Sequence, residues 1–388
     1  MIPLLVSLVA AAQATAGGCG SLKFQAPARY AVTADNIVLV ADADRDGSPD
    51  IITSGNQVDQ LSAFSILPNL GNGIFGSERQ IPSRLGERLE DVADLNGDGN
   101  IDLVVAGYWQ NGIAVYRGSG LLQFGSATAM DTATHGGPSR IVDYDGDGKR
   151  DIVSFSFGSG NPVRVHLFRG RGDGELDPKQ TFETARAIAD SPSVRVRDGI
   201  VEILANERSG HLLLFRISPT SVSSTTLDAG PGLDLNSTFV DLNGDGIADI
   251  VDTNDGGSDA STNSLEWIFV RLARPDGGFG ERRQLAHPRR MSFPTELRAG
   301  DLDGDGRMDL VAGDFHASTL YYFRGQGDGN FDPALPIDVT GPVNDLAIAD
   351  LNGDHRLDLV TANNAHSVSV ILNGGVDCAR TRRRAVRH

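Results

Sequence analysis

Apolar and polar positions along this chain group into short bursts, without the three-to-four-residue spacing of a helix. The clearest copy lies near the C-terminus. There "LAIA" (Leu346 to Ala349) runs into an acidic loop, "LDLVTA" (Leu357 to Ala362) follows, and "SVSVIL" (Ser367 to Leu372) comes third. Upstream, the Gly-rich turn "RGQGDGNFDP" (Arg324 to Pro333) leads into "ALPIDV" (Ala334 to Val339). Short apolar and β-branched runs divided by Gly, Asp and Asn predict strands joined by tight turns. The pattern gives four strands per unit, with the acidic loop between the first and second and the Gly-rich turn between the third and fourth.

The acidic loop recurs. Its first ligand-type residue is Asp42, Asp94, Asp143, Asp241, Asp301 and Asp350 in successive copies. The double gap between Asp143 and Asp241 holds "VRVRDGIVEIL", whose Asp198-Gly199 aligns with the Asp-Gly of the other loops and places a first position at Val194. The steps are then 52, 49, 51, 47, 60 and 49 residues. Seven units of about 50 residues signal a repeat architecture, and four short strands per unit describe a propeller blade. The expected fold is an all-β, seven-bladed β-propeller, a single domain over residues 19–378. With only 6% aromatic residues, small β-branched residues and Ala are expected to do most of the packing.

The last unit stops after its third strand at "ILNGG" (Ile371 to Gly375), while "LKFQAPARYAVTADN" near the N-terminus aligns with the fourth-strand segment "GNFDPALPIDVTGPVN". The N-terminal strand is therefore expected to complete the seventh blade and leave no open edge. Cys19 and Cys378, the only two cysteines, flank that strand pair. In an oxidising compartment they form a natural disulfide. The alternative is lipid acylation of Cys19, although "AGGC" lacks the Leu that usually stands three residues before such a cysteine.

Charge changes the picture next. Asp plus Glu outnumber Lys plus Arg by 51 to 34, a formal net charge of −17. Such a surface repels phosphate backbones, which argues against nucleic acid as a partner, and suits cations. At the N-terminus "IPLLVSLVAAA" (Ile2 to Ala12) is too short to span a bilayer and precedes the small-residue stretch "AQATAGG". Residues 1–18 therefore read as a signal peptide, though without a basic leading region. The expected location is secreted, cell-surface or periplasmic. No later run of 18 apolar residues predicts a transmembrane segment, and a monomer is expected. The basic tail at 379–388 is expected to be disordered.

Each acidic loop offers oxygen ligands at positions 1, 3, 5 and 9. The sets are Asp42, Asp44, Asp46 and Asp50; Asp94, Asn96, Asp98 and Asp102; Asp143, Asp145, Asp147 and Asp151. They continue with Asp241, Asn243, Asp245 and Asp249; Asp301, Asp303, Asp305 and Asp309; and Asp350, Asn352, Asp354 and Asp358. A hard cation with oxygen ligands fits, and calcium is the default, about six ions in all. An EF-hand requires Glu at position 12, where the second loop has Val105. Asp, Asn and Gly also make good turns, but turn chemistry alone gives no reason for the Asp at position 9. Unit four, with Val194, Val196 and Glu202 in the ligand places, is expected to bind no metal. Unit seven has His355 where the others have Gly, and its site is expected to be weaker.

These repeats, of the form D-x-[DN]-x-D-G-x-x-D-[IL]-V with a Gly-rich turn and Phe-Gly, resemble the FG-GAP/VCBS repeats. That family includes the seven-bladed propeller of integrin α-subunits and many bacterial exported proteins. The resemblance covers residues 24 to 375, with Phe-Gly pairs at Phe75-Gly76, Phe124-Gly125 and Phe279-Gly280. The Gly-Ala-Pro part is absent, with Gly137-Pro138 and Gly341-Pro342 near its place, so the VCBS form is closer. The resemblance implies calcium between first and second strands and partner binding on the opposite face. It implies no reaction.

Two function classes follow. The first is a noncatalytic binding or adhesion module for a protein or glycan. The second is a glycan-active lyase or hydrolase on the same scaffold, with His135, Arg140, His287, His316 and His366 as candidates; no nucleophile elbow, HExxH or CxxC accompanies them. The "RGD" at Arg171 to Asp173 matches the turn "RGQGD" of unit six and reads as a repeat turn. Tyr108 and Trp109 sit at a hairpin tip on the rim opposite the acidic loops, where Asp314, His316, Asn363 and His366 could add polar contacts. The least repetitive stretch, Thr253 to Trp267, falls on that rim too.

Overall fold

The computed structural model describes residues 22–376, apart from 56–62, 85, 108–111, 131–134, 158–163, 184–191, 207–210, 219–220, 228–233, 255–266, 286–293 and 365. The described residues contain strands and no helix. They form seven four-stranded antiparallel sheets, numbered here as blades 1 to 7, with strands at 37–82, 87–130, 135–183, 193–227, 234–284, 294–338, and 343–371 plus 28–31. The first strand of each sheet lies beside the first strands of its two neighbours, and the series closes on itself. That is a seven-bladed β-propeller.

Blade 2 shows how the sequence builds it. Its second strand, Asp102–Gly107, is buried along its whole length. Successive side chains point to opposite faces, so Leu103 and Val105 enter a core shared with blade 1 while Val104 and Ala106 enter one shared with blade 3. Each blade thus feeds two cores, and seven apolar clusters separate the seven blades. Burial on both faces explains why the second strands read as continuous apolar runs. Val, Ile and Ala make up more than half of the buried apolar residues, as expected, and Tyr322, Phe64, Phe155, Phe215 and Phe323 are among the largest fully buried side chains.

The ring closes as the alignment predicted. Ala28–Ala31 pairs with Ser367–Ile371 as the outer strand of blade 7. The match extends one step further. In blade 6 Phe331 bridges Gly325, and the N–H of Asp332 donates to the Arg324 carbonyl at 2.8 Å. In blade 7 Phe24 pairs with Asn373, and the N–H of Gln25 donates to the Leu372 carbonyl at 2.8 Å. The aromatic of the repeat is present in blade 7, supplied from the other end of the chain. Cys19 and Cys378, residues 1–18 and the tail at 379–388 lie outside the described residues.

Blade 4 departs from the expected register. Asp198-Gly199 is not the middle of a nine-residue loop. It is a two-residue turn between Ser193–Arg197 and Ile200–Asn206, with φ of 53° and 72°. Positive φ at both central residues marks the hairpin turn that Asp-Gly favours. Val194 and Val196 therefore lie within the first strand. Glu202, which took the place of a metal ligand in the alignment, is buried and paired with Arg195 at 2.5 Å and Arg216 at 2.7 Å.

Candidate metal centres

The other six blades carry the acidic loop at one end of the ring, and blade 2 gives its plan. Asp94 accepts N–H bonds from Gly97 at 2.7 Å and Gly99 at 2.8 Å, which coils the loop around its carboxylate. Asp98 accepts the N–H of Asn100 at 2.7 Å, and its own N–H donates to Asn96 at 3.0 Å. The coil needs left-handed backbone at position 4 as well as position 6, with φ of 74° at Gly97 and 84° at Gly99. Arg45 takes position 4 in blade 1 with φ 67°, and His355 takes position 6 in blade 7 with φ 65°. His355 keeps the plan, donating its N–H to Asp350 at 2.8 Å, at the steric cost of a side chain in that region.

Position 9 has a role the sequence did not reveal. The Asp102 carboxylate is fully buried and accepts two backbone N–H bonds, from Leu95 at 3.0 Å and Gly118 at 2.9 Å. It fastens the loop to the turn after the third strand. The same pair of bonds recurs at Asp50, Asp151, Asp249, Asp309 and Asp358. The presence of this Asp is thus accounted for by backbone hydrogen bonding whether or not a cation binds. Burial pushes the Asp50, Asp309 and Asp358 carboxyls up to about 6, and raises Asp102, Asp151 and Asp249 in the same sense. A nearby cation would favour their charged forms.

The donor set fits a hard divalent ion. In blades 1, 3 and 6 one oxygen from each of positions 1, 3 and 9 lies within 4.8 Å of the others: Asp42, Asp44, Asp50; Asp143, Asp145, Asp151; Asp301, Asp303, Asp309. Ligands held at roughly 2.3–2.6 Å from one calcium ion span such distances. In blades 2, 5 and 7 position 3 is Asn96, Asn243 or Asn352, whose side-chain amide donates to the position 5 carboxylate at 3.0, 3.0 and 3.2 Å. Blades 3 and 6 use an arginine there instead. Arg169 bonds both Asp145 and Asp147, and Arg324 bonds both Asp303 and Asp305. Both arginines open the Gly-rich turn, and neither lies in the acidic loop from which the ligand positions were read.

The residues assigned to the opposite rim are not equivalent. His316 and His366 are exposed. Asp314 is fully buried and accepts the His316 N–H at 2.9 Å, capping its own hairpin. Asn363 is also fully buried, bonded to Thr361 at 2.8 Å and Ser369 at 2.9 Å. These two side chains organise their hairpins from within. Arg140 lies on a first strand and donates to the Glu90 and Ser139 carbonyls at 3.1 and 2.8 Å. Tyr108, Trp109, His287 and the His135 side chain fall outside the described residues, as does most of the Thr253–Trp267 insertion. A hydrogen-bonded serine–histidine pair occurs at Ser156 and His166, 2.7 Å apart, but both are buried within blade 3.

Comparison with known proteins agrees with this geometry. Residues 94–154 and 301–361 match the family model described as FG-GAP-like repeat. With the seven-sheet ring, the chain is an FG-GAP-repeat β-propeller. Among solved structures it resembles BBS1N in complex with ARL6DN, soaked with mercury, at 12% identity over 90% of this chain and 96% of that chain, with TM-score 0.60. A lead-soaked crystal of the same complex gives the same values. A structure described as the basis of specific recognition of non-reducing terminal N-acetylglucosamine by an Agrocybe aegerita lectin matches at 22% identity, over 85% of this chain and 75% of that one, with TM-score 0.39. No curated protein matches the sequence.

Proposed function

We propose that the protein is an exported, calcium-stabilised propeller that serves as a binding module for a protein or glycan. The observation that carries the cation part is the sixfold recurrence of one loop, coiled around its first aspartate, with oxygen donors at positions 1, 3, 5 and 9. The loops hold 21 aspartates, counted as four, three, four, three, four and three. Crowded carboxylates repel one another, and a divalent ion in each loop relieves that repulsion. On this reading positions 1, 3, 5 and 9 hold the ion, and the ion stiffens the loop end of the ring. Export is supported by the apolar N-terminal run and by the placement of the two cysteines.

The binding role is supported by scaffold and site chemistry. A propeller presents the turns between second and third strands on the rim away from the cation loops. There His316 and His366 are exposed, and the sequence places Tyr108 and Trp109 on an equivalent turn. BBS1N, of similar fold, was solved with a protein partner. The test joins both parts. Chelation by EGTA should lower the melting temperature markedly, by linkage of metal to the folded state. The calcium-loaded protein should retain a ligand from a panel of glycans and surface proteins without depolymerising it. A melting temperature indifferent to verified metal removal refutes the calcium part, and cleavage that survives repurification refutes the binding-module part.

A further inference from the structure

The six loops are not alike, and three differences coincide in blades 3 and 6. These two have Asp, not Asn, at position 3: Asp145 and Asp303. Both have arginine directly after the third strand, Arg169 and Arg324, where blades 1, 5 and 7 have Pro68, Leu272 and Leu372. Both replace the glycine of Phe-Gly by aspartate, Asp177 and Asp332. Blade 2 has an arginine in the same place, but with Asn96 and Gly125 around it. Arg117 turns away from its own loop to the Gly174 carbonyl of blade 3.

The contacts explain why the three go together. Arg169 Nη2 lies 2.8 Å from Asp147 while its Nε bonds Asp145, so one guanidinium bridges positions 3 and 5. Arg324 does the same, with Nη2 2.6 Å from Asp305 and Nε on Asp303. A planar fork carrying positive charge does for two carboxylates what a bridging cation would do. The oxygens it covers are among those a cation needs, because the other oxygens of Asp147 and Asp305 already accept the N–H of Lys149 at 2.9 Å and Arg307 at 3.0 Å. A second acid stands beside each arginine, Asp332 within reach of Arg324 and Asp177 paired with the neighbouring Arg171 at 2.6 Å. The N–H of Asp177 donates to the Arg169 carbonyl and that of Asp332 to the Arg324 carbonyl, both at 2.8 Å, and Arg324 Nη1 is 4.0 Å from the Asp332 carboxylate.

We infer that Arg169 and Arg324 are internal counter-ions that trade places with calcium, leaving positions 3 and 5 for Asp177 and Asp332 when the ion enters. The inference rests on the calcium reading above and divides the six loops into two classes. In blades 2, 5 and 7 the position 5 carboxylate is covered by the neutral amide of position 3, joined in blade 7 by Arg356, so that only blades 3 and 6 set one guanidinium across positions 3 and 5. Blades 3 and 6 bind only by exchange, which makes them the weaker and more readily emptied pair. They would respond to calcium after the rest of the ring is already filled.

Calorimetric calcium titration of the full chain tests this. The wild type should show a tight class and a weaker class of two ions. The double variant Arg169→Gln, Arg324→Gln should tighten those two ions at least fivefold and leave the others unchanged. Asp177→Asn with Asp332→Asn should weaken the same two, because the displaced arginines lose their second partner. Arg117→Gln, melted alongside as a folding control, should alter neither class. Calcium binding that the arginine variants leave unchanged or weaken overturns the exchange alone. A wild type that binds no calcium in equilibrium dialysis overturns the loop reading and the exchange with it.

Discussion

Replacing Asp102 by alanine separates the structural duty of position 9 from its duty as a ligand. The carboxylate is fully buried and holds the N–H groups of Leu95 and Gly118 at 3.0 and 2.9 Å. Alanine strands both donors. A buried donor left unpaired costs about 1–3 kcal/mol, so the two together cost about 2–6 kcal/mol. Removing a carboxylate that burial disfavours, as its raised pKa records, returns part of this, and the expected loss is about 2–4 kcal/mol. Urea denaturation in excess EGTA measures it without any cation contribution, from the midpoint and slope. Repeating the measurement in calcium should enlarge the loss, because the variant forfeits the ion's preference for the folded state. Asp102→Asn, which keeps one accepting oxygen, should fall between wild type and alanine. Full stability of Asp102→Ala in EGTA, with a loss in calcium alone, would show that the carboxylate serves only the ion and would refute the backbone argument.

Other outcomes follow from single sites. His355→Gly relieves a left-handed side chain and should raise stability by about 0.5–1 kcal/mol while tightening the blade 7 loop for calcium; a loss of stability on denaturation would contradict it. Glu296 is raised from its ordinary 4.5 first by burial and then by the Asp345 carboxylate, against the opposing Arg298 at 2.9 Å. The folded protein therefore holds a proton that the unfolded chain releases. This contribution is fully present below 4.5 and is lost as pH rises toward the folded value. Glu296→Gln should flatten the decline in stability over that range, and an unchanged slope in a pH series of melts would refute the assignment. Mass spectrometry of the unreduced, exported protein should find a Cys19–Cys378 linked peptide; a diacylglycerol on Cys19 would replace the disulfide by an anchor.

The ring was legible in the sequence because each blade repeats its own grammar, and because "LKFQAPARYAVTADN" carries the fourth-strand pattern without its first three strands. Blade 4 was legible as lacking the oxygen ligands of positions 1 and 3, but its register was not. Asp-Gly serves equally in a nine-residue loop and in a two-residue hairpin turn, and nothing local to "VRVRDGIVEIL" separates the two. The position 9 aspartate was legible as a ligand type, whereas one of its bonding partners, the Gly118 N–H, lies 16 residues further on. Asp314 and Asn363 looked available because they occupy hairpin ends, where polar residues normally face water. Here they turn inward to satisfy the hairpins themselves. Arg169 and Arg324 could have been suspected from their coincidence with Asp177 and Asp332, a departure from Phe-Gly that occurs wherever the arginine faces a position 3 aspartate.

The seam of the ring has a further consequence. Blade 7 is finished by Ala28–Ala31 and sealed at Phe24 and Asn373, so no turn of the chain joins its last strand to its third; ladder bonds and packing, Phe24 against Tyr322 and Tyr30 against Phe75, hold it. A strand that completes its own ring can complete a neighbour's ring with the same register and the same bonds. At high protein concentration two chains can therefore exchange their first strands and form a reciprocal pair with each propeller intact. The same seam sets Leu22 opposite Val376, so the first and last described residues leave the ring side by side.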